Sequence, residues 1–204
     1  MDLARYIVAV LTLVSLPISL GLWYAIHPFA RHWRRVGPGW TYAILAAPFS
    51  LVGWLLWRAR ETLLGPDLGT QPALLAVALP SALVGIAILR SRRRQLTQRT
   101  LTGIPELSSR DRGRLVTGGI YARIRNPRYL EILFFVLAYV AFANHMGTWV
   151  LFAVSLPTIH GVVLLEEREL RSRFGAEYEE YCRRVPRFLP KRSDGLRSAF
   201  PGST

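Results

Sequence analysis

Residues 118–129 hold the densest mixture of chemically useful side chains in the sequence: Gly-Gly-Ile-Tyr-Ala-Arg-Ile-Arg-Asn-Pro-Arg-Tyr. Paired glycines let a backbone approach a ligand closely, guanidinium groups bind carboxylates through two parallel hydrogen bonds, and tyrosines add flat faces with polar tips. Asn126 before Pro127 is typical of a helix start. A basic loop followed by a helix cap also accounts for the arginines and the Asn-Pro pair, but it leaves the Gly-Gly-x-Tyr unexplained. The residue types therefore favour a ligand site.

A second group of chemically active residues follows the last apolar run of the chain. Glu166 and Glu167 stand side by side there, which is unfavourable near an anionic membrane surface unless cationic or hydroxyl groups meet them. Residues 166–190 then predict an amphipathic helix, because apolar and aromatic residues recur at steps of three and four at Leu170, Phe174, Tyr178 and Tyr181. A helix lying on lipid headgroups would explain that face. It would not explain the two adjacent carboxylates.

Five apolar segments must position these two groups of residues. One carries a single charge, Glu131, and the other four carry none; in chain order they are 6–26, 41–57, 71–89, 129–144 and 146–165. About 20 helical residues cross the hydrocarbon core of a bilayer, which is about 30 Å thick. A buried core helix of a soluble protein would explain any one segment but not five, in a chain that is 51% hydrophobic with a mean hydropathy of +0.24. The prediction is an all-α integral membrane protein with five transmembrane helices.

The net charge of +13 comes almost entirely from arginine and is segregated from the apolar segments. Loops 27–40 and 90–128 and the chain after 165 carry most of these arginines, and only one arrangement of five helices places all three on the same side. This predicts an outside N-terminus and a cytoplasmic C-terminus, in the plasma (inner) membrane if the source is bacterial. We expect membrane lipids rather than nucleic acid as partners, and we expect the apolar run 6–26 to be retained rather than cleaved as a signal peptide.

The predicted organisation has three parts. Residues 1–90 form three N-terminal transmembrane helices, and 91–190 form a core with a cytoplasmic loop, a helical hairpin over 129–165 and the amphipathic segment. Residues 191–204 form a disordered tail. The single cysteine, Cys182, excludes an intrachain disulfide, and four scattered histidines make a metal site unexpected.

Four motifs in this order resemble the isoprenylcysteine carboxyl methyltransferase family, which is related to the phospholipid methyltransferases. They cover roughly residues 113–190 and read Gly119-x-Tyr121, Arg125-Asn126-Pro127-x-Tyr129, Glu166-Glu167, and Phe174-Gly175-x-Glu177-Tyr178-x-x-Tyr181 followed by Arg184-Val185-Pro186. Two positions depart from the family. Eukaryotic members usually have histidine at the position of Asn126, and a small residue, typically glycine, is common at the position of Glu131.

The resemblance implies S-adenosylmethionine as the methyl donor, in a cytoplasmic pocket without a Rossmann fold, and a lipophilic acceptor that enters from the bilayer. It implies cofactor-binding roles for Gly119, Ile120, Tyr121, Arg125, Asn126, Pro127, Tyr129, Glu166, Glu167, Tyr178, Tyr181 and Arg184. The implied catalytic residues are Arg125, Glu167 and Glu131. A prenylcysteine-like carboxylate needs no general base, whereas a thiol or an amine would need one, and Glu131 or Glu167 could serve. Glu131 could instead act as a gate, or simply pair with Arg128.

Two other classes of function remain open from the sequence. An NADPH-dependent enzyme similar to the sterol reductases would share the C-terminal pattern, but those proteins are much longer. A non-enzymatic membrane scaffold or transporter subunit would also be apolar and basic, although transport usually requires charges near the middle of the membrane. The oligomeric state cannot be predicted from these patterns.

Overall fold

The computed structural model describes residues 2–96 and 114–189, which are helical and contain no β-strand. The middle of the basic 90–128 loop and the predicted disordered tail, 191–204, lie outside the described residues. A short 3₁₀ helix covers Gly119–Ala122. The α-helices are α1 (Leu3–Ile26), α2 (Ala30–Val36), α3 (Pro38–Arg58), α4 (Arg60–Leu64), α5 (Pro72–Arg93), α6 (Pro127–Ala143), α7 (Met146–Phe174) and α8 (Ala176–Arg184).

Four of these helices, α1, α3, α5 and α7, are long and apolar enough to cross a membrane. Helix α6 has 17 residues, so it runs about 26 Å at 1.5 Å per residue, slightly less than the hydrocarbon core. The all-helical membrane class is therefore supported with four candidate spans, and the fifth stays a prediction. Large apolar side chains remain exposed along α3 and α5, among them Leu51, Trp54, Leu79 and Leu83, as expected for surfaces that face lipid.

Proline marks both the starts and the interiors of the long helices. Helices α3, α5 and α6 each begin with proline, whose missing N–H needs no partner at that position. Prolines also lie inside α1, α3, α5 and α7, at Pro17, Pro48, Pro80 and Pro157. Neighbouring helices make such interruptions tolerable in a membrane protein.

The core lies where α1 packs against α3, α6 and α7, and the most extensive helix pair is α5 with α6. Trp23, Ile26, Tyr129, Val140 and Val162 are among its buried side chains. Only Asn144 and His145 separate α6 from α7, and Asn144 turns the chain in the left-handed conformation with φ 49°. The two helices pack against each other as a helical hairpin.

The helix bundle has two chemically different ends. At one end, Arg5 pairs with Asp67 and donates to the backbone oxygen of Ala143 at 2.9 Å. The other, here called the arginine-rich end, comprises the last turns of α1, α5 and α7 together with α2, the 3₁₀ helix, the start of α6 and α8. The candidate site residues lie at this end, because Tyr181 bonds to Tyr121 and the last turn of α5 reaches the first turns of α6 there.

The segment after residue 165 differs from the single amphipathic helix predicted for it. Residues 166–174 contain no glycine or proline, so α7 continues to Phe174, and the helix ends at Gly175, where φ is +56°. Helix α8 then packs Tyr178 and Tyr181 into a small core with Val185. The aromatic face therefore packs against the protein's own chain, and Glu169, one of the charged residues of this segment, is also buried.

Candidate functional site

A cavity opens at the arginine-rich end where the 3₁₀ helix, the start of α6, the end of α7 and α8 meet. Most of the residues predicted to bind a cofactor line it: Tyr121, Arg125, Asn126, Pro127, Tyr129, Glu166, Tyr178 and Tyr181. The two sequence segments that suggested a site thus face one common space.

The sequence interpretation missed three arginines in the cavity wall, Arg92, Arg114 and Arg173. Arg92 is the last-turn residue of α5 that pairs with Glu131. A lone carboxylate inside an apolar helix requires a cationic partner, so Glu131 itself was the signal for such an arginine. No sequence signal distinguished Arg173 from the other arginines of the C-terminal segment.

Backbone hydrogen bonds clasp the Arg-Asn-Pro motif to the Arg-Val-Pro motif. The amide of Arg125 donates to the carbonyl of Pro186 at 2.9 Å, and the amide of Asn126 donates to the carbonyl of Arg187 at 3.1 Å. Nearby, the Tyr181 hydroxyl donates to the carbonyl of Tyr121 at 2.7 Å. The chain beyond α8 therefore fixes the backbone that presents Arg125 to the cavity.

Glu167 lies under the cavity wall and is fully buried, with 0% of the residue exposed. Its Oε1 accepts from the Asn126 amide at 3.0 Å and from Arg187 Nε at 3.0 Å, and its Oε2 accepts from Arg187 Nη2 at 2.8 Å. Arg125 Nη2 lies 3.5 Å from Glu167 Oε1. The hydrogen bond to Glu167 raises the pKa of Arg187. The Asn126 side chain thus bonds to Glu167 and does not cap α6. Glu167 joins the Arg-Asn-Pro motif to the Arg-Val-Pro motif, and it does not line the cavity.

Glu166 points in a different direction from its neighbour and lines the cavity. It accepts a hydrogen bond from the hydroxyl of Tyr129, and only 1% of the surface of Tyr129 is exposed. Consecutive residues of an α-helix point about 100° apart, which sends one carboxylate to the cavity and the other to the interior. Glu166 is therefore an acceptor that a ligand in the cavity could reach, whereas Glu167 is the buried ion-pair partner of Arg187.

Buried guanidinium nitrogens in the cavity wall lack hydrogen-bond partners. Arg125 Nε is one, and Arg173 Nε and Nη1 are two more. Arg173 Nη1 lies 3.5 Å from Glu169 Oε1 without a hydrogen bond between them. Buried donors without acceptors are unfavourable, and charged donors favour a carboxylate or phosphate. Arginines with unsatisfied donors therefore line the cavity, and their positive charge favours an anionic group as its ligand.

Three tyrosines at the cavity stay protonated at neutral pH. Burial raises the pKa of Tyr121 to about 12 against the opposing influence of Arg92. Burial also raises the pKa of Tyr178 and of Tyr181. Their hydroxyls therefore act as neutral hydrogen-bonding groups beside flat aromatic faces.

Glu131 pairs with Arg92 rather than with Arg128, so the predicted partner was wrong. Arg92 Nε donates to Glu131 Oε2 at 2.8 Å and Arg92 Nη2 donates to Oε1 at 3.2 Å, and both side chains are buried. Arg128 instead lies over the ring of Trp23, 4.1 Å from its centre. Glu131 therefore meets the cavity only through Arg92.

Gly119, Ile120 and Arg184 are not among the cavity-lining residues. Gly119 has φ +58°, and a Cβ there would lie 2.6 Å from the side chain of Gln95, so the turn itself accounts for the glycine. The Arg184 side chain is 67% exposed and lies 3.5 Å from Glu180.

Sequence comparison finds distant relatives. The chain is 28% identical over 155 residues to two proteins called "Probable protein-S-isoprenylcysteine O-methyltransferase", from Oryza sativa subsp. indica and subsp. japonica, covering 72% of this chain and 75% of each relative. It is 33% identical over 88 residues to "Cobalt-zinc-cadmium resistance protein CzcN" of Cupriavidus metallidurans, covering 43% of this chain and 40% of that protein. No family model and no solved structure matches the chain. The two rice proteins confirm the predicted resemblance and support a methyltransferase of membrane type.

Proposed function

We propose that this chain, which resembles the isoprenylcysteine carboxyl methyltransferases, transfers a methyl group from S-adenosylmethionine to a lipophilic acceptor entering from the bilayer. One observation carries the proposal. Arg125 and Arg173, which carry buried N–H groups without hydrogen-bond partners, line an aromatic cavity at the end of the helices that are apolar enough to cross a membrane. That combination suits a ligand with an anionic end and a flat ring, next to a membrane-embedded partner.

The residues present fit this cofactor. Arg125 and Arg173 carry N–H groups without hydrogen-bond partners, and they could donate hydrogen bonds to the carboxylate at the amino-acid end of the cofactor. Glu166, held by Tyr129, would accept from the ribose hydroxyls or the amino group. The faces of Tyr121 and its aromatic neighbours suit an adenine ring and the positive sulfonium. NADPH, the cofactor of the alternative reductase function, would place phosphates at the same arginines.

The protein needs to supply alignment more than acid–base chemistry. When bound, the cofactor provides a methyl group already activated on a sulfonium for in-line displacement. The cavity residues would hold donor and acceptor in line and exclude water. Both oxygens of Glu131 are engaged by Arg92, and both oxygens of Glu167 by Arg187. We therefore favour an acceptor that needs no general base, a prenylcysteine-like carboxylate, over a thiol, an amine or another lipid group.

We propose that Glu167 acts by positioning. Through Asn126 and Arg187 it fixes the backbone that presents Arg125. Arg184 has no role at the cavity in this proposal, since its side chain faces solvent.

Cofactor binding to the detergent-purified chain tests the proposal. Isothermal titration should show binding of S-adenosylmethionine and not of NADPH. Arg173→Gln should weaken binding about ten- to a hundredfold, the loss expected for a charge-assisted hydrogen bond to a ligand. Arg184→Gln removes the same charge outside the cavity and should change the affinity less than twofold. Binding of NADPH alone would favour the reductase, and binding of neither would favour a scaffold.

A transfer assay then tests the acceptor. The full-length chain in lipid nanodiscs would be given labelled S-adenosylmethionine and a farnesylated cysteine, or the same compound with its carboxylate amidated. We expect methylation of the carboxylate and none of the amide. Equal transfer to both would contradict a carboxylate acceptor.

We also propose that the arginine-rich end faces the cytoplasm, with the N-terminus outside. Arg34, Arg35, Arg93 and Arg94 lie at this end, as positively charged cytoplasmic loops require. Single cysteines at Gly69 and Arg35, in a Cys182→Ser background, would be treated with a membrane-impermeant maleimide on intact cells. Label at position 69 alone is expected, and label at position 35 alone would reverse the topology.

A further inference from the structure

A second concave site lies at the arginine-rich end, between the end of α1, helix α2 and the last turns of α7. Its volume is about 310 Å³, and three of its lining residues are arginines: Arg31, Arg34 and Arg168. It shares no lining residue with the cavity of the proposed methyltransferase site. We call it the arginine hollow, and its function does not depend on methyl transfer.

The arginine hollow keeps an excess of positive charge. Arg34 pairs with the buried Glu169, which also lies 3.5 Å from Arg173. Arg31 and Arg168 are exposed and have no ion-pair partner within the described part of the chain. One carboxylate therefore faces several guanidinium groups, and the hollow favours an additional anion.

A buried histidine with unsatisfied nitrogens also lines the hollow. The His27 side chain is 2% exposed, and neither ring nitrogen has a hydrogen-bond partner. Its Nδ1 is 3.9 Å from Glu169 Oε2, and its ring stacks on Trp23 with centroids 5.2 Å apart. A buried polar ring without partners is unfavourable, so His27 offers a hydrogen bond to a group that enters the hollow.

Apart from Ser172, the remaining wall is apolar, and it lies where two apolar helices end. Pro28, Ala30 and Leu165 contribute to it. Ile26 ends α1, and Leu165 is the last residue of the uncharged run of α7. Where two apolar helices become polar, phospholipid headgroups meet the protein, and basic pockets at that level bind anionic headgroups.

We propose that the arginine hollow binds the phosphate of an anionic membrane phospholipid. Arg31, Arg34 and Arg168 would surround the phosphate, with His27 donating a hydrogen bond from below. The apolar wall would contact the glycerol and the first acyl carbons, which is why a lipid suits the hollow better than a soluble phosphate.

The test compares two fluorescent lipids on the detergent-purified full chain. Phosphatidylglycerol should bind at least about tenfold more tightly than phosphatidylcholine with the same acyl chains. Arg31→Gln and Arg168→Gln should each weaken phosphatidylglycerol binding about five- to tenfold. Arg35→Gln is the matched control, because it removes the same charge from an exposed position of α2 that does not line the hollow. An equal loss in Arg35→Gln, or no preference between the lipids, would overturn the proposal.

Two further measurements separate a built site from general attraction of anions. His27→Phe keeps the stacked ring but removes both nitrogens, and it should lower the preference for phosphatidylglycerol while circular dichroism and gel filtration stay unchanged. Inorganic phosphate at millimolar concentration should displace little of the lipid. Complete displacement would identify free phosphate as the ligand, and an unchanged preference in His27→Phe would show that His27 takes no part.

Discussion

Replacing Glu167 with glutamine should damage the cofactor cavity without changing any residue that lines it. The carboxylate accepts from Asn126 at 3.0 Å and from Arg187 at 3.0 and 2.8 Å. Glutamine keeps the volume but offers one acceptor oxygen and one NH₂ donor. One bond from Arg187 would then meet a donor, and Arg125 and Arg187 would lose the negative charge they share.

The size of the effect follows from burial and from the number of bonds. Breaking a buried ion pair costs about 3–5 kcal/mol. The Arg187 side chain is 32% exposed, so water compensates part of the loss, and we expect about 2–3 kcal/mol of stability to disappear. The clasped backbone of Arg125 and Asn126 would loosen with it, because it bonds to Pro186 and Arg187 at 2.9 and 3.1 Å. Cofactor affinity should fall about tenfold.

A double-mutant cycle distinguishes positioning from direct contact. Thermal unfolding in detergent and titration with S-adenosylmethionine would be measured for Glu167→Gln, Arg187→Gln and the double variant. Each single change should lower both the stability and the cofactor affinity. The double variant should be no worse than the weaker of the two single variants, because both changes remove the same contact between Glu167 and Arg187. Arg184→Gln, an exposed arginine of the same segment, should change neither. Full affinity in Arg187→Gln with lost binding in Glu167→Gln would refute the positioning role and make Glu167 a ligand contact.

The remaining predictions concern three other side chains. Tyr129→Phe keeps the buried ring but removes the hydrogen bond to Glu166, so cofactor affinity by titration should fall about five- to tenfold, and unchanged affinity would exclude Glu166 from the contact. Glu131→Gln breaks the buried pair with Arg92 and should lower the unfolding temperature, with turnover retained where the protein is folded; lost turnover with intact cofactor binding would instead identify Glu131 as a base. Because burial raises the pKa of Tyr121 from 10.0 to about 12, the unfolded chain loses this proton first. The free energy of unfolding should therefore fall as the pH rises from 10 towards 12, and it should fall less in Tyr121→Phe. Denaturant unfolding at several pH values measures this, and an equal fall in both proteins would contradict the prediction.

The long helices were predictable because their signals are local. An uncharged apolar run marks each of α3 and α5 within a few residues of its observed bounds. The short helices α2 and α4 were not predicted, since 7 and 5 residues carry too little periodicity. The continuation of α7 to Phe174 was missed for a different reason. Charged residues suggested a new element after Leu165, although charge alone does not end a helix.

The site was predicted by residue type but not by pairing. Sequence proximity suggested Arg128 for Glu131, three positions away, whereas the structure selects Arg92, 39 positions away. The choice depends on how α5 and α6 rotate against each other, which the sequence of either helix leaves open. The same limit applies to Glu166 and Glu167, because the two residues look equivalent in sequence and only the packing of α7 decides which one faces the cavity.

The position of Asn126 shows why the motifs occur together. Its side chain donates to Glu167, and its backbone bonds to Arg187, so one residue ties the start of α6 to the end of α7 and to the chain beyond α8. A histidine, usual at this position in eukaryotic members of the family that this sequence resembles, also carries a ring N–H that can serve a carboxylate. Asparagine in place of histidine at position 126 therefore exchanges one hydrogen-bond donor to Glu167 for another. We therefore expect the ligand preference of this chain to depend on the residues of the cavity wall instead. These are Arg92, which is paired with Glu131, and Arg173.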